Sequence, residues 1–259
     1  MFKKPLGLLG LFLIVVGAGY FVGAGVAYSK TQGGYGSLEA FSAAQNVTLS
    51  YNDEGKLIDR GTTEGADAIM SLLKDDWNFP VTMDKGGIDP KDPVVNNQSE
   101  YMFQMATIVF HTLNGEQNVV LTDADIARFI DSEALAPDGT YNGNVEAYKG
   151  QVLEAGVPYA VPVNGRYWTG FDRSDALDGK ARELAWSGTA HALVAELGVG
   201  AATHSALMLA LGIAGVLAGL GVVCMVMGAA FIWHTAKSMK EFKVPDTVPA
   251  ELVKEPVTV

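Results

Sequence analysis

The sequence predicts an α+β extracytoplasmic domain inserted between two transmembrane α-helices. Three observations carry this reading. Ala206 to Trp233 contains no charged side chain over 28 residues, and Leu6 to Tyr28 contains none over 23. At about 1.5 Å per residue these runs are roughly 42 and 34 Å long as helices, enough to cross a hydrocarbon core of about 30 Å with some tilt. The segment between them, residues 29–203, carries 12 Lys/Arg against 25 Asp/Glu and three of the four tryptophans, the make-up of a folded acidic domain of ordinary size.

The organisation read from these runs is a cytoplasmic N-terminus at 1–5, a first span at 6–28, an extracytoplasmic domain at 29–203, a second span at 204–234 and a cytoplasmic tail at 235–259. Pro5 stands where a first helical turn tolerates proline. The first run exceeds the 7–15 residues of a signal-peptide core, so the sequence favours a retained span over a leader cleaved near Gly25-Val26-Ala27. Lys3 and Lys4 before the first run and Lys237, Lys240 and Lys243 after the second predict that both termini face the cytoplasm. The domain's net charge of −13 disfavours nucleic acid and anionic lipid surfaces and slightly favours cationic partners. Cys224, the single cysteine, lies within the second run and excludes an intrachain disulfide.

In chain order, Thr31 to Gly36 reads as a flexible exit from the first span. Val47 to Tyr51 alternates as a strand, and Asn52-Asp-Glu-Gly55 turns it toward Lys56-Leu-Ile58 as a hairpin. Thr62 or Thr63 caps a helix reaching about Trp77. The prolines and glycines between Phe79 and Ser99 dictate a loop. Ser99 to Asn114 reads as a helix central to the domain core, apolar except for one stripe: Glu100, Gln104, Thr107, His111 and Asn114. A short strand at Val119 to Leu121 and a helix from Thr122 through Ile130 follow. From Tyr141 to Phe171 the pattern is β, including Val157 to Val163 and Arg166 to Thr169. Asp172 to Leu197 returns to helix, with a break at Ser187-Gly188.

Few residues carry chemistry. His111 on the polar stripe, His191 and His204 form no dense ligand pattern, and the spacing of Asp172, Asp175 and Asp178 before Gly179 fails the calcium-loop template, so caps and solvated loops account for these acids. Asn46-Val-Thr48 and Asn97-Gln-Ser99 match the short glycosylation pattern, which recurs by chance. The expected catalytic residues, cofactors and metal ligands are therefore none. Gly19-x-x-x-Gly23 and Gly215-x-x-x-Gly219 are faces on which helix backbones can approach closely, with Gly10, Gly17, Gly212 and Gly221 nearby. They predict packing of the two spans on each other or on other integral membrane subunits, and no coiled-coil heptad is evident.

Asn46 to Ala66, Glu100 to Thr107, Pro162 to Thr169 and Ala185 to Ala192 resemble a family of actinobacterial two-pass membrane proteins, some loosely labelled aromatic ring-opening dioxygenases. The resemblance implies a cell-membrane setting and brings no catalytic residue with it. Similar proteins occur as accessory subunits of respiratory complexes of the cytochrome bc/oxidase type. The expected role is a non-catalytic accessory or scaffold subunit of a plasma-membrane assembly, in contact with the lipid bilayer and other integral subunits. The alternative is a membrane-anchored domain that binds a small ligand or metal, enzymatically or not.

Overall fold

The computed structural model describes residues 3–83 and 85–240, with side-chain packing from residue 5 to residue 237 apart from Asp84. Lys243 and the rest of the predicted tail beyond residue 240 lie outside the described residues, as do the side chains of Lys3, Lys4 and Lys240. The chain divides into two compact units, one of residues 1–35 with 207–259 and one of residues 36–206.

Two long helices, α1 (Lys3–Gln45) and α6 (Gly188–Lys240), form the first unit and contribute to the second. Both contain windows long and apolar enough to cross a membrane, and 11% of each window is buried, so most of this apolar surface faces outward. Leu8, Val22 and Leu209 are each more than two thirds exposed. In water that surface would be costly, at about 25 cal/mol per Å², whereas hydrocarbon solvates it.

The predicted flexible exit at Thr31 to Gly36 is instead helix, and α1 runs unbroken to Gln45. Gly33, Gly34 and Gly36 lower helix propensity in this stretch, yet the helix continues through them. Gly34 has a different task, since a Cβ on it would meet Leu207 Cδ2 at 2.5 Å, and its missing side chain lets the two helices close on each other.

The helices of the first unit pack antiparallel through small residues seven apart. On α1 the buried positions are Gly10, Gly17, Ala24 and Thr31; on α6 they are Ala214, Gly221, Gly228 and Thr235. A Cβ built on Gly10 would lie 2.7 Å from the Gly228 carbonyl oxygen, and one on Gly17 would lie 3.0 Å from that of Gly221. A seven-residue period keeps one seam of a slightly supercoiled pair in contact along its length. The sequence therefore does carry a heptad, built of Gly, Ala and Thr rather than of leucine. Thr31 and Thr235 return their hydroxyls to the carbonyls of Ala27 and Phe231, each at 2.8 Å, leaving no unpaired donor at the seam.

The second unit is mixed α and β with small sheets. β1 (Ser50–Tyr51) pairs antiparallel with β2 (Leu57–Ile58), the predicted hairpin. α2 (Thr63–Ser71) begins at Thr62, whose side chain accepts from the Gly65 amide, and passes into a π-helical turn at Leu72–Asp76. The loop from Phe79 follows, and α3 (Gln98–Leu113) starts at Asn97 rather than at Ser99. Asn97 and Glu100 form a reciprocal capping box, the stronger terminator of the two choices because it satisfies orphan amides in both directions. Burial of Asn97 in this cap also removes it as a glycosylation acceptor, while Asn46 is exposed.

β3 (Glu116–Val120) pairs antiparallel with β4 (Pro158–Pro162), and α4 (Asp123–Asp131) is capped by Thr122. The β pattern expected at Arg166 to Thr169 becomes a turn and a 3₁₀ segment at Trp168–Gly170, since Gly165 at φ +68 reverses the chain after Val163. α5 (Ala176–Ala185) ends at Trp186, and the predicted break near Ser187 separates it from α6.

Two apolar clusters fill the second unit, and α3 serves both. Its first half places Tyr101, Phe103 and Ala106 with Ile69 of α2, Leu73 of the π-helical turn and Leu197 and Ala201 of α6. Its second half places Val109 and Leu113 with Val119, Val161, Tyr141 and Leu177. The predicted central helix is the shared wall of the domain.

Asp175 and Asp178 are buried, not solvated as the loop reading implied. Asp175 caps α5 through the amides of Leu177 and Asp178, and it also accepts from the Tyr141 hydroxyl and the Asn144 amide. Asp178 Oδ2 accepts from the Asp172 amide and from Arg166 at 2.6 Å. Gly143 passes so close to the Asp175 carboxylate and the Tyr141 ring that any side chain there would collide.

Candidate functional site

The glycines chosen from the sequence lie mostly away from the helix seam. An added Cβ on Gly19, Gly215 or Gly219 meets no heavy atom within 4 Å, and on Gly23 it meets only Leu217 Cδ1 at 3.8 Å. The close approach uses Gly10, Gly17, Gly221 and Gly228 because the heptad selects one face per helix, and Gly19, Gly215 and Gly219 fall on the other side. Gly215 and Gly219 leave an open glycine face on the outside of α6.

The polar stripe does not converge on a site. Glu100 is fully buried, its Oε2 accepting from the Asn96 and Asn97 amides at 2.9 and 3.2 Å. Its Oε1 is buried with no hydrogen-bond partner, and burial pushes the carboxyl up to about 7. Gln104 is half-buried. Thr107 returns its hydroxyl to the Phe103 carbonyl at 2.9 Å. His111 Nε2 stands 3.0 Å from both Asp59 oxygens, a tie between the end of α3 and the turn after β2. Thr107, His111 and one oxygen of Glu100 are consumed by local partners.

The histidines are equally separate. His191 Nδ1 lies 3.1 Å from the Ser187 carbonyl oxygen, and its ring meets those of Trp168 and Trp186. His204 follows 13 residues later on the same helix, about 20 Å away, too far to share an ion. Among the described residues no group of three or more His, Cys, Asp or Glu side chains is placed to hold a metal ion.

What the fold does assemble is an aromatic groove that no single stretch of sequence announces. It is an open depression of about 530 Å³ between α3 and the first turns of α6, with Met102, Met105 and Val194 on one side and Trp77, Tyr167 and Trp168 on the other. Its aromatic wall is fixed from behind. Trp77 Nε1 donates to the Tyr167 hydroxyl at 2.9 Å, and Tyr167 stacks on Trp186 with centroids 6.0 Å apart. Trp186 Nε1 donates to the Arg166 carbonyl at 3.1 Å. The Arg182 guanidinium lies 3.9 Å from the centre of the Trp168 ring, and His191 meets the same ring edge-on at 4.8 Å. The π-helical turn at 72–76 delivers Trp77 to this wall, and such turns recur where a helix is bent to a task. Rigid Trp and Tyr plates facing adaptable methionines are the side chains over-represented where proteins bind one another.

Compared with protein-family models, with curated proteins and with solved structures, the chain matches none. The class of protein rests on its own geometry: two helices of membrane-spanning length and apolarity, and a mixed α and β unit bearing an aromatic groove.

Proposed function

We propose that the protein is a two-span plasma-membrane subunit with both termini cytoplasmic and residues 29–203 outside, acting by binding rather than by catalysis. In this reading α1 and α6 cross the bilayer as a self-paired hairpin, and the outward domain engages another integral membrane subunit through the Trp/Met groove. The observation that carries it is the groove itself. A wall of Trp77, Trp168 and Tyr167, with Tyr167 43% exposed and the buried Trp186 behind it, is apolar surface in want of a partner. The open glycine face of α6 offers the same partner close contact within the membrane.

The actinobacterial resemblance makes a respiratory complex of the cytochrome bc/oxidase type the first candidate assembly. The small-ligand or metal alternative draws little support from the stripe, since Thr107, His111 and Glu100 Oε2 are paired locally and do not converge on one cavity.

The test is recovery of the protein by a C-terminal tag from native membranes in mild detergent, followed by mass spectrometry. Stoichiometric recovery of one membrane complex supports the reading. Recovery of the chain alone, at monomer or homodimer mass, overturns it.

A further inference from the structure

Beside the aromatic groove lies a second open cleft of about 580 Å³, a size ordinary for a small-molecule site. It shares two rings with the groove, Trp77 and Tyr167, and adds Phe110 from the last turn of α3. Ala68 of α2 and Gly165 in the turn after β4 also line it, and neither has the bulk to fill it. The π-helical turn that delivers Trp77 ends at Asp76, so a carboxylate arrives next to the indole.

The polar groups of this cleft are few and keep capacity to spare. Asp76 is exposed, and among the described residues nothing donates to its carboxylate. Asn114, the last member of the polar stripe, donates from Nδ2 to the Phe110 carbonyl at 2.8 Å, which leaves its amide oxygen open as an acceptor. The Tyr167 hydroxyl accepts from Trp77 Nε1 at 2.9 Å, which leaves its own proton to donate. Asp76 is the single charged residue among those that line the cleft, with no lysine or arginine beside it.

This inventory selects a ligand. An anion would meet a carboxylate and no cation. An ammonium group only donates, so it would match Asp76 and leave the Tyr167 proton without an acceptor. A sugar both donates and accepts through its hydroxyls, and the C–H face of its ring is apolar enough to lie on aromatic side chains. We propose that this cleft binds a neutral saccharide, with a ring face against Trp77 and Phe110 and hydroxyls bonded to Asp76, Asn114 and Tyr167. All its lining residues belong to the 36–206 unit, and the assignment does not rest on the role given to the aromatic groove.

Isothermal titration of the full chain with cellotriose and with maltotriose tests the assignment, in a detergent without a sugar headgroup. Benzyltrimethylammonium and benzenesulfonate serve as charged counterparts. The expected result is saturable binding of a saccharide and of neither charged probe. Asp76→Ala and Asn114→Ala each weaken it by at least about five-fold, the loss of one hydrogen bond. Asp76 is exposed, so its replacement leaves the fold intact and reads the site alone. Met102→Arg alters the groove and not this cleft, and leaves the affinity unchanged. Binding of neither saccharide, equal binding of a charged probe, unchanged affinity in both cleft variants, or loss of affinity in folded Met102→Arg would overturn it.

Discussion

The two units solve the same problem, bringing chain segments together, with opposite materials. In the helix pair the contact is made by what is absent: Gly10 against Gly228 and Gly17 against Gly221, backbone on backbone, with the large side chains turned outward. In the 36–206 unit the contact is made by bulk, with Tyr101, Phe103, Ile69, Leu73, Tyr141 and Leu177 buried and the buried Asp178 paired with Arg166. The difference follows from the solvent each unit suits. Lipid tails give no hydrophobic reason for two helices to associate, so close van der Waals approach and small residues carry it. Water gives that reason directly, and large apolar side chains go inside.

The largest effect that separates the two regimes is expected at the Arg166–Asp178 pair. Asp178 is 1% exposed, and Arg166→Ala would leave its carboxylate buried with its guanidinium partner gone. A loss of about 3–5 kcal/mol in thermal unfolding of the 36–206 unit is expected, against less than about 1 kcal/mol for Arg128→Ala at the exposed pair with Asp125. Next comes the helix seam. Gly17→Leu drives a side chain into the Gly221 backbone and is expected to cost about 1–3 kcal/mol or more. Disulfide crosslinking between Ala24→Cys and Ala214→Cys reads the pairing directly: it should fail in Gly17→Leu and persist in Gly215→Leu, whose glycine faces away.

A smaller, pH-dependent effect distinguishes a buried acid from the surface ones. Glu100 is raised to about 7 in the fold, so its proton is bound more tightly there than in the unfolded chain. Its ionisation therefore erodes stability as pH rises from about 4.5 through 7, and below that range it costs nothing. Glu100→Gln keeps an acceptor for the cap and is expected to raise the melting temperature at pH 8, by the equivalent of about 1–2 kcal/mol, with little change at pH 5.

How much of this was legible follows the same division. Absence of charge from Leu6 to Tyr28 and from Ala206 to Trp233 is a local property and marks two apolar helices at once. The β1–β2 hairpin, the Thr122 cap and the apolar faces of α3 were legible for the same reason: turn chemistry, capping and helical period act within a few residues. The seam was harder, because Gly10, Gly17 and Ala24 recur every seven residues within the uncharged run Leu6 to Tyr28, where small and apolar residues surround them on every side, and Thr31 continues the period just beyond it. The extension of α1 past Tyr28 was missed because Gly33, Gly34 and Gly36 look like breakers until Leu207 of α6 is seen beside Gly34. The aromatic groove was not legible at all. Trp77, Met102, Tyr167, Trp186 and Val194 come from five separate segments, and only the fold brings them together.

The central claim is that this groove is where the protein meets its partner, and the size of the assembly in native membranes tests it most directly. Wild type and Met102→Arg, a cation placed in the apolar wall, are solubilised in mild detergent and sized side by side, with unfolding of each checked separately. The account predicts wild type in an assembly well above its own 27.4 kDa and the folded variant at the mass of the chain alone. Co-migration of the two would contradict it.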